Sequence, residues 1–273
     1  MRVAIQGELG SNSHMAALGM LGDVEIVPCA LSAEVFDRIQ DGSADAAVLP
    51  IENSLHGSVA EHYDLLRERA VEVCGESLLR IRFCVIAAPG VKVADLKRVM
   101  SHPVALSQCR KWIVAHPGIE VFPVYDTAGS VKKLMAEGWR DAAGFAPELA
   151  AKQYGAEVLE AGIEDHEENF TRFYLLKKRG AASPDPEANK MSLAFSVEHR
   201  PGTLVAALTL LADAGVNLTK IESRPVVSRP WEYHFYVDVR FEDAEKADAA
   251  VASLRHHCSW LKVLGRYKAA IGS

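Results

Sequence analysis

Short apolar runs that each end in small and polar residues and then give way to helical periodicity constrain this chain more than any other feature. Residues 2–6 (RVAIQ) lead into a turn over 7–10 and a helix expected to start near Ser11-Asn12-Ser13, all good N-caps. Residues 24–28 and 33–40 repeat the strand and helix, and 44–49 (ADAAVL) are apolar enough to be buried on both faces, the mark of a parallel sheet. That run ends at Pro50-Ile51-Glu52-Asn53-Ser54. The next helix is announced by Gly57-Ser58, with Ser58 as N-cap and Glu61 three residues on completing a capping box.

Residues 79–88 read as one long strand, bounded by Pro89-Gly90, that carries the chain to a second lobe of the same kind. There 98–100 runs into Ser101-His102-Pro103 and a helix over 105–115, and 120–124 runs into Asp126-Thr127-Ala128-Gly129-Ser130 and a helix to about 137. A strand at 141–145 and a helix at 147–153 follow, and the chain returns through Val158-Leu159. In open α/β sheets, ligands sit beyond the carboxyl ends of the strands, where helix N-termini present free amides. Residues 7–13, 52–54, 101–102 and 126–130 are therefore expected to line one crevice. Thr127-Ala128-Gly129 fits either close approach of an anion to the backbone or simply a tight, well-capped turn.

The hexapeptide ENFTRF (168–173) sets an amide, a hydroxyl and a guanidinium beside two aromatics and feeds the apolar run Tyr174-Leu175-Leu176. Seen alone, it fits a solvated strand edge as well as a site; the polar turns decide in favour of a site. RGAASPDPEAN (179–189) has two prolines and no periodicity and reads as a linker. Beyond it the order β-α-β-β-α-β (strands over 190–198, 217–226, 232–239 and 260–267, helices over 202–214 and 243–256) predicts a ferredoxin-like sandwich.

With 273 residues, 49% apolar and 24% charged, the chain is long enough for two domains and has no run able to span a bilayer. MRVAIQGELG has one Arg before a strand-like run, so no secretory leader is read and a cytoplasmic location is expected. Five cysteines (29, 74, 84, 109 and 258) without C-x-x-C spacing argue against a zinc site or a disulfide framework. A net charge of −6 without a basic run argues against nucleic acid as a partner.

Taken together, PIENS (50–54) with Gly57-Ser58, SHP with Gln108-Cys109, DTAGS (126–130) and NFTRF (169–173) resemble the monofunctional prephenate dehydratases over nearly the whole chain. PGTL (201–204), NLTKIESRP (217–225) and FYVD (235–238) resemble their C-terminal ACT domain. The segment LPIENSLHGSVAEHYDLL is also similar to plant-type arogenate dehydratases. The resemblance implies an α/β fold: a two-lobed periplasmic-binding-protein-like (type 2) catalytic module plus an α+β ferredoxin-like ACT domain. The expected division is a catalytic module at 1–178 (lobes of about 1–78 with 160–178, and 79–159), a linker at 179–189 and the ACT domain at 190–273. The implied reaction is the decarboxylative loss of water from prephenate or its amino counterpart, arogenate. The ring becomes aromatic, so the driving force lies in the substrate, and no metal or organic cofactor is expected. A non-catalytic amino-acid-binding protein on the same fold is the alternative.

By the same resemblance Thr171 stands at the departing hydroxyl. A neutral Thr is a poor acid, which makes Glu52 a candidate to hold the proton, unless its carboxylate satisfies helix amides or pairs with Arg172. Arg172 is expected at a substrate carboxylate, since guanidinium is a planar two-pronged donor. Asn53, Ser54, Ser101, Thr127 and the amides around Ala128 would supply neutral donors. Phe170 and Phe173 seal the crevice or belong to the core, and His102 is either an acid or a turn cap. In the ACT domain, Gly202, Thr203 and Leu204, with Asn217, Leu218, Glu222, Ser223 and Arg224, are the implied L-phenylalanine site. Thr203 stands where the family usually has Ala, and a docking role without ligand is the alternative. An effector shared between chains implies a homodimer or homotetramer.

Overall fold

The computed structural model describes residues 1–226, 229 and 231–271. Its contacts divide the chain into two units: Met1–Gly57 with Leu78–Phe173, and Ser58–Ser77 with Tyr174–Ser273.

In the first unit the strands Arg2–Gln6, Glu25–Cys29 and Ala46–Asn53 run parallel. Arg2–Gln6 is central, with Val3 beside Ile26 on one side and Ala46 on the other. Ala46 to Leu49 are buried in succession, as expected of a strand covered on both faces. A second sheet has the order Glu157–Ala161, Cys84–Ala87, Ala142–Ala146, Arg98–Ser101, Glu120–Pro123. Its last three strands are parallel and its first two pairings antiparallel. Phe83, Val85, Val99, Trp112 and Phe145 form one of its cores, and Ile86, Val131, Ala146 and Ala150 another.

Two expected elements are corrected here. The single strand over 79–88 is instead two, Val71–Arg80 and Cys84–Ala87. Between them Ile81 N donates to Asn169 O (2.7 Å) and Phe83 N to the Glu164 carboxylate (2.9 Å), so these amides leave the ladder. The helix over 105–115 is also two, Pro103–Ser107 and Arg110–Ala115. Asp165 interrupts it: its N donates to Gln108 O (2.7 Å), and its carboxylate accepts Arg110 N (3.0 Å) and Lys111 N (2.9 Å), restarting the helix.

In the second unit the strands Lys190–Ser196, Asn217–Pro225, Tyr233–Arg240 and Trp260–Tyr267 form an antiparallel sheet under the helices Thr203–Asp213 and Ala244–His257. Met191, Leu193, Leu211, Val237 and Leu254 fill the layer between them. This is the ferredoxin-like sandwich that the β-α-β-β-α-β order predicts. The helix Ala60–Glu68 and the start of the strand Val71–Arg80 belong to this unit. Gly265 lies beside Val73 so closely that an added Cβ would strike the Val73 carbonyl. Lys262 Nζ donates to the Leu66, Arg67 and Arg69 carbonyls at 2.8, 2.9 and 2.8 Å, closing the helix end.

Ser58 does not cap the helix as expected. The N-cap is Val59, without a side-chain bond, because the Ser58 hydroxyl is used elsewhere. It donates to Glu222 Oε2 (2.7 Å) and accepts from Lys220 Nζ (2.8 Å). Residues 179–189 form no helix or strand, and among the described residues no helix is long and apolar enough to cross a membrane.

Candidate active site

Asn53 ends the strand Ala46–Asn53, and its side chain turns the chain behind it: Oδ1 accepts the backbone N–H of Leu55 and of His56, both at 3.0 Å. Backbone amides only donate, so this pair fixes which end of the amide is oxygen. The other end, Nδ2, then faces Asn169 Oδ1 (2.8 Å), Thr171 Oγ1 (3.0 Å) and Phe170 O (3.1 Å). Thr171 Oγ1 is therefore an acceptor toward Asn53, and its own hydrogen is left to donate. Thr171 is 8% exposed, so the hydroxyl is held in a largely dry place.

Gln108, buried, continues the network: its Nε2 lies 3.5 Å from Asn53 Oδ1 and 3.1 Å from His56 Nδ1. A donor facing Nδ1 leaves the imidazole hydrogen on Nε2, which points at Ser107 Oγ (3.1 Å). Ser107 in turn donates to Val104 O (2.7 Å).

Neighbouring residues of a strand face opposite sides. Thr171 meets Asn53, and one residue on in each direction Arg172 meets Glu52, with Nη2 3.1 Å from Oε2. The Arg172 side chain is 7% exposed and that of Glu52 34%, so the guanidinium is buried against a half-open carboxylate. Of the readings of Glu52 left open by the sequence, the structure displays the pairing with Arg172.

The first turn docks on the DTAGS turn. Ser11 caps the helix Asn12–Leu21, and His14 Nδ1 accepts Gly10 N (2.9 Å); burial lowers the pKa of that imidazole. Asp126 caps the helix Thr127–Ala136 through Gly129 N (2.6 Å), and its own burial pushes its pKa up. Gly7, at φ 97°, has no room for a Cβ, which would fall 2.5 Å from Asp126 Oδ2. Glu8 joins the same turn through Tyr125 OH (2.7 Å) and Lys132 Nζ (2.9 Å). Thr127 is half-buried here and Ala128 fully buried.

Several expected donors hold the scaffold. Ser101 is fully buried and donates to Phe145 O (2.6 Å). Ser54 Oγ accepts Phe170 N (3.0 Å) and donates to Glu168 O (3.2 Å). Phe173, 1% exposed, is a core residue, whereas Phe170 is 39% exposed. His102 Nδ1 accepts Val104 N (3.2 Å), which is the capping role. Asn169, Gln108 and His56 had no assigned role in the sequence reading. The signal for the first two was their place inside NFTRF and beside SHP; His56 had none.

In the second unit Gly202, at φ 85°, opens the helix Thr203–Asp213, and Thr203 Oγ1 donates to Glu198 O (2.7 Å) and Arg200 O (2.9 Å). Gly202, Thr203 and Leu204 line a cavity of about 150 Å³ with Tyr233 and Phe235. Asn217 lines a different one, of about 640 Å³, with Arg240 and Lys246. Eleven helical residues, about 16 Å, part these two sets. Leu218 and Ser223 are exposed, Glu222 accepts from Ser58, and Arg224 pairs with Asp64 (2.8 Å).

The family model described as prephenate dehydratase matches residues 3–181, and that of the ACT domain matches 191–252. The chain is 40% identical to the chloroplastic arogenate dehydratase/prephenate dehydratase 2 of Arabidopsis thaliana, over 98% of this chain and 72% of that protein. Among solved structures it is similar to prephenate dehydratase from Arthrobacter aurescens in complex with L-Phe, at TM-score 0.89, 31% identity and 98% and 90% coverage of the two chains. It is equally similar to a protein described as a novel type of quorum quenching acylase, at TM-score 0.90, 33% identity and 98% coverage of both. With the match spanning both modules, the chain belongs to the prephenate dehydratase family and carries an ACT domain after the dehydratase module.

Proposed function

We propose that the first unit carries out the decarboxylative dehydration of prephenate to phenylpyruvate, a carbon–oxygen lyase reaction, with the Thr171 hydroxyl as donor to the departing oxygen. The C4–oxygen bond breaks as the ring carboxylate leaves as carbon dioxide, its electron pair entering the ring, and the hydroxide leaves as water with a proton that comes ultimately from solvent. The observation that carries this reading is the 3.0 Å bond from Asn53 Nδ2 to Thr171 Oγ1, which makes the oxygen an acceptor and leaves the threonine hydrogen available to donate. A donor aimed where charge develops stabilises the transition state more than the ground state. Glu52 is assigned to holding Arg172, and Arg172, with the helix N-terminus at Thr127-Ala128, to the electrostatic environment of the substrate anion. Separate assays with prephenate and arogenate test the activity and the choice of substrate; turnover of neither contradicts it.

A second reading, amide hydrolysis, is raised by the acylase relative and by Ser107 Oγ lying 3.1 Å from His56 Nε2. Gln108 donates to the opposite ring nitrogen, so His56 donates to Ser107 instead of taking its proton, and the geometry favours dehydration. Release of amine from an N-acyl substrate is the assay that separates the two.

For regulation, we assign the catalytic role to 1–178 and the phenylalanine response to 190–273, with 179–189 as linker. A Phe-bound relative supports the effector. Gly202 to Leu204 and Asn217 to Leu218 lie at opposite ends of one helix, so an effector touching both sets needs a second copy of the chain, which favours a dimer or a dimer of dimers. Five free cysteines fit a reducing compartment such as the cytoplasm.

A further inference from the structure

We infer that Asn169 is a positioning residue for the dehydration, acting through Asn53 to aim the Thr171 hydroxyl; this rests on the reading that Thr171 meets the departing oxygen. Asn169 directly precedes the strand Phe170–Lys178 and is completely buried. Its Oδ1 takes the shortest of the three contacts of Asn53 Nδ2, 2.8 Å against 3.0 Å to Thr171 Oγ1 and 3.1 Å to Phe170 O. A planar amide has two diverging hydrogens. With one drawn along the bond to Asn169, the other is left for the Thr171 oxygen and the Phe170 carbonyl. The Leu55 and His56 amides pin only the oxygen end of Asn53, so without Asn169 the amide plane tilts about its Cβ–Cγ bond and the direction of the Thr171 hydrogen is lost.

A second observation is that one end of this amide is left unpaired. Asn169 Nδ2 is buried without a hydrogen-bond partner among the described residues. It cannot exchange places with Oδ1, because two amide nitrogens would then face each other at Asn53. A buried donor left unsatisfied destabilises the fold; an apolar side chain of the same shape would remove it, but would also take the acceptor from Asn53. Asparagine at this site places an acceptor beside Asn53 and leaves a donor unpaired. That Nδ2 is sealed from solvent also means that the group works through Asn53 and not on substrate.

The test compares kcat, KM and Tm of the intact chain on prephenate for wild type, Asn169→Leu, Asn169→Asp, Thr171→Val and the Asn169→Leu/Thr171→Val double variant. Asn169→Leu is expected to lose about 10²-fold in kcat with KM little changed, the size of effect that misplacing a reacting group produces, and to shift Tm only modestly, because it removes the orphaned Asn169 donor while taking the acceptor from Asn53. Asn169→Asp keeps an oxygen for Asn53 and regains most of the loss. The double variant is no slower than Thr171→Val alone, because both act on one hydrogen bond. Wild-type turnover in Asn169→Leu, an additive loss in the double variant, or an Asp variant as slow as the Leu variant overturns the role of Asn169. If Thr171→Val itself turns over normally, the failure lies in the reading of Thr171 and removes this proposal with it; if Thr171→Val is slow while Asn169→Leu is not, only Asn169 is wrongly assigned.

Discussion

The direction of one hydrogen bond determines what Thr171 is able to do. Asn53 donates to it because two backbone amides have claimed the oxygen end of Asn53, and a hydroxyl that accepts this bond keeps its own hydrogen to donate. Asn53→Asp keeps the shape and reverses the polarity: a carboxylate oxygen facing Oγ1 draws the threonine hydrogen inward. Turnover is expected to fall by about 10²–10³, and steady-state kinetics on prephenate checks it. His14 is a second residue whose state follows from its partner. Its Nδ1 accepts Gly10 N, and burial holds the folded pKa below 6.5. Below that value the unfolded chain binds a proton that the folded one refuses, so stability is lost as pH falls through about 6.5 and is retained above it. Denaturant midpoints from pH 7 to pH 5 are expected to fall less steeply in His14→Gln than in wild type.

At the scale of elements, the parallel strands of the first unit were legible because burial on both faces leaves a compositional mark, as in ADAAVL, and because capping residues follow strands such as Arg2–Gln6 (Ser11) and Glu120–Pro123 (Asp126). What was not legible depends on partners far away in the chain. The strand Val71–Arg80, of which only the end beyond residue 78 was expected, carries Glu72, Glu76 and Arg80; Trp260–Tyr267 comes alongside it, and Lys190 meets Glu76 at 2.8 Å in the interior. Ser58 has the sequence of an N-cap, and only the arrival of Glu222 and Lys220 diverts its hydroxyl. The same holds within the site: NFTRF and PIENS name Thr171 and Asn53, but the bond between them spans 118 positions and its polarity is set by a turn. The close pairing at Gly265 gives a direct test. Gly265→Ala forces a methyl against the Val73 carbonyl and is expected to cost about 1–3 kcal/mol in chemical denaturation from the clash, whereas Gly138→Ala, with open space around its Cβ position among the described residues, costs about 1–2 kcal/mol from its positive φ alone.

At the scale of the whole molecule, the chain joins a dehydratase module to an ACT domain in which two sets of the expected effector residues, Gly202 to Leu204 and Asn217 with Leu218, lie toward opposite ends of one helix. Titration calorimetry with L-phenylalanine is expected to give one effector per chain and light scattering a dimer or tetramer; absence of heat would leave the ACT domain a docking module. A ligand shifts activity only by preferring one state of the protein, so phenylalanine is expected to alter kcat or KM and not merely to bind. The central claim is tested most directly by the turnover of prephenate by the intact chain with Thr171 replaced by Val and by Ser. Val is predicted to lower kcat by about 10²–10⁴ with KM little changed, and Ser, which keeps the hydroxyl, to retain most of the activity. Wild-type kcat in the Val variant would contradict the account.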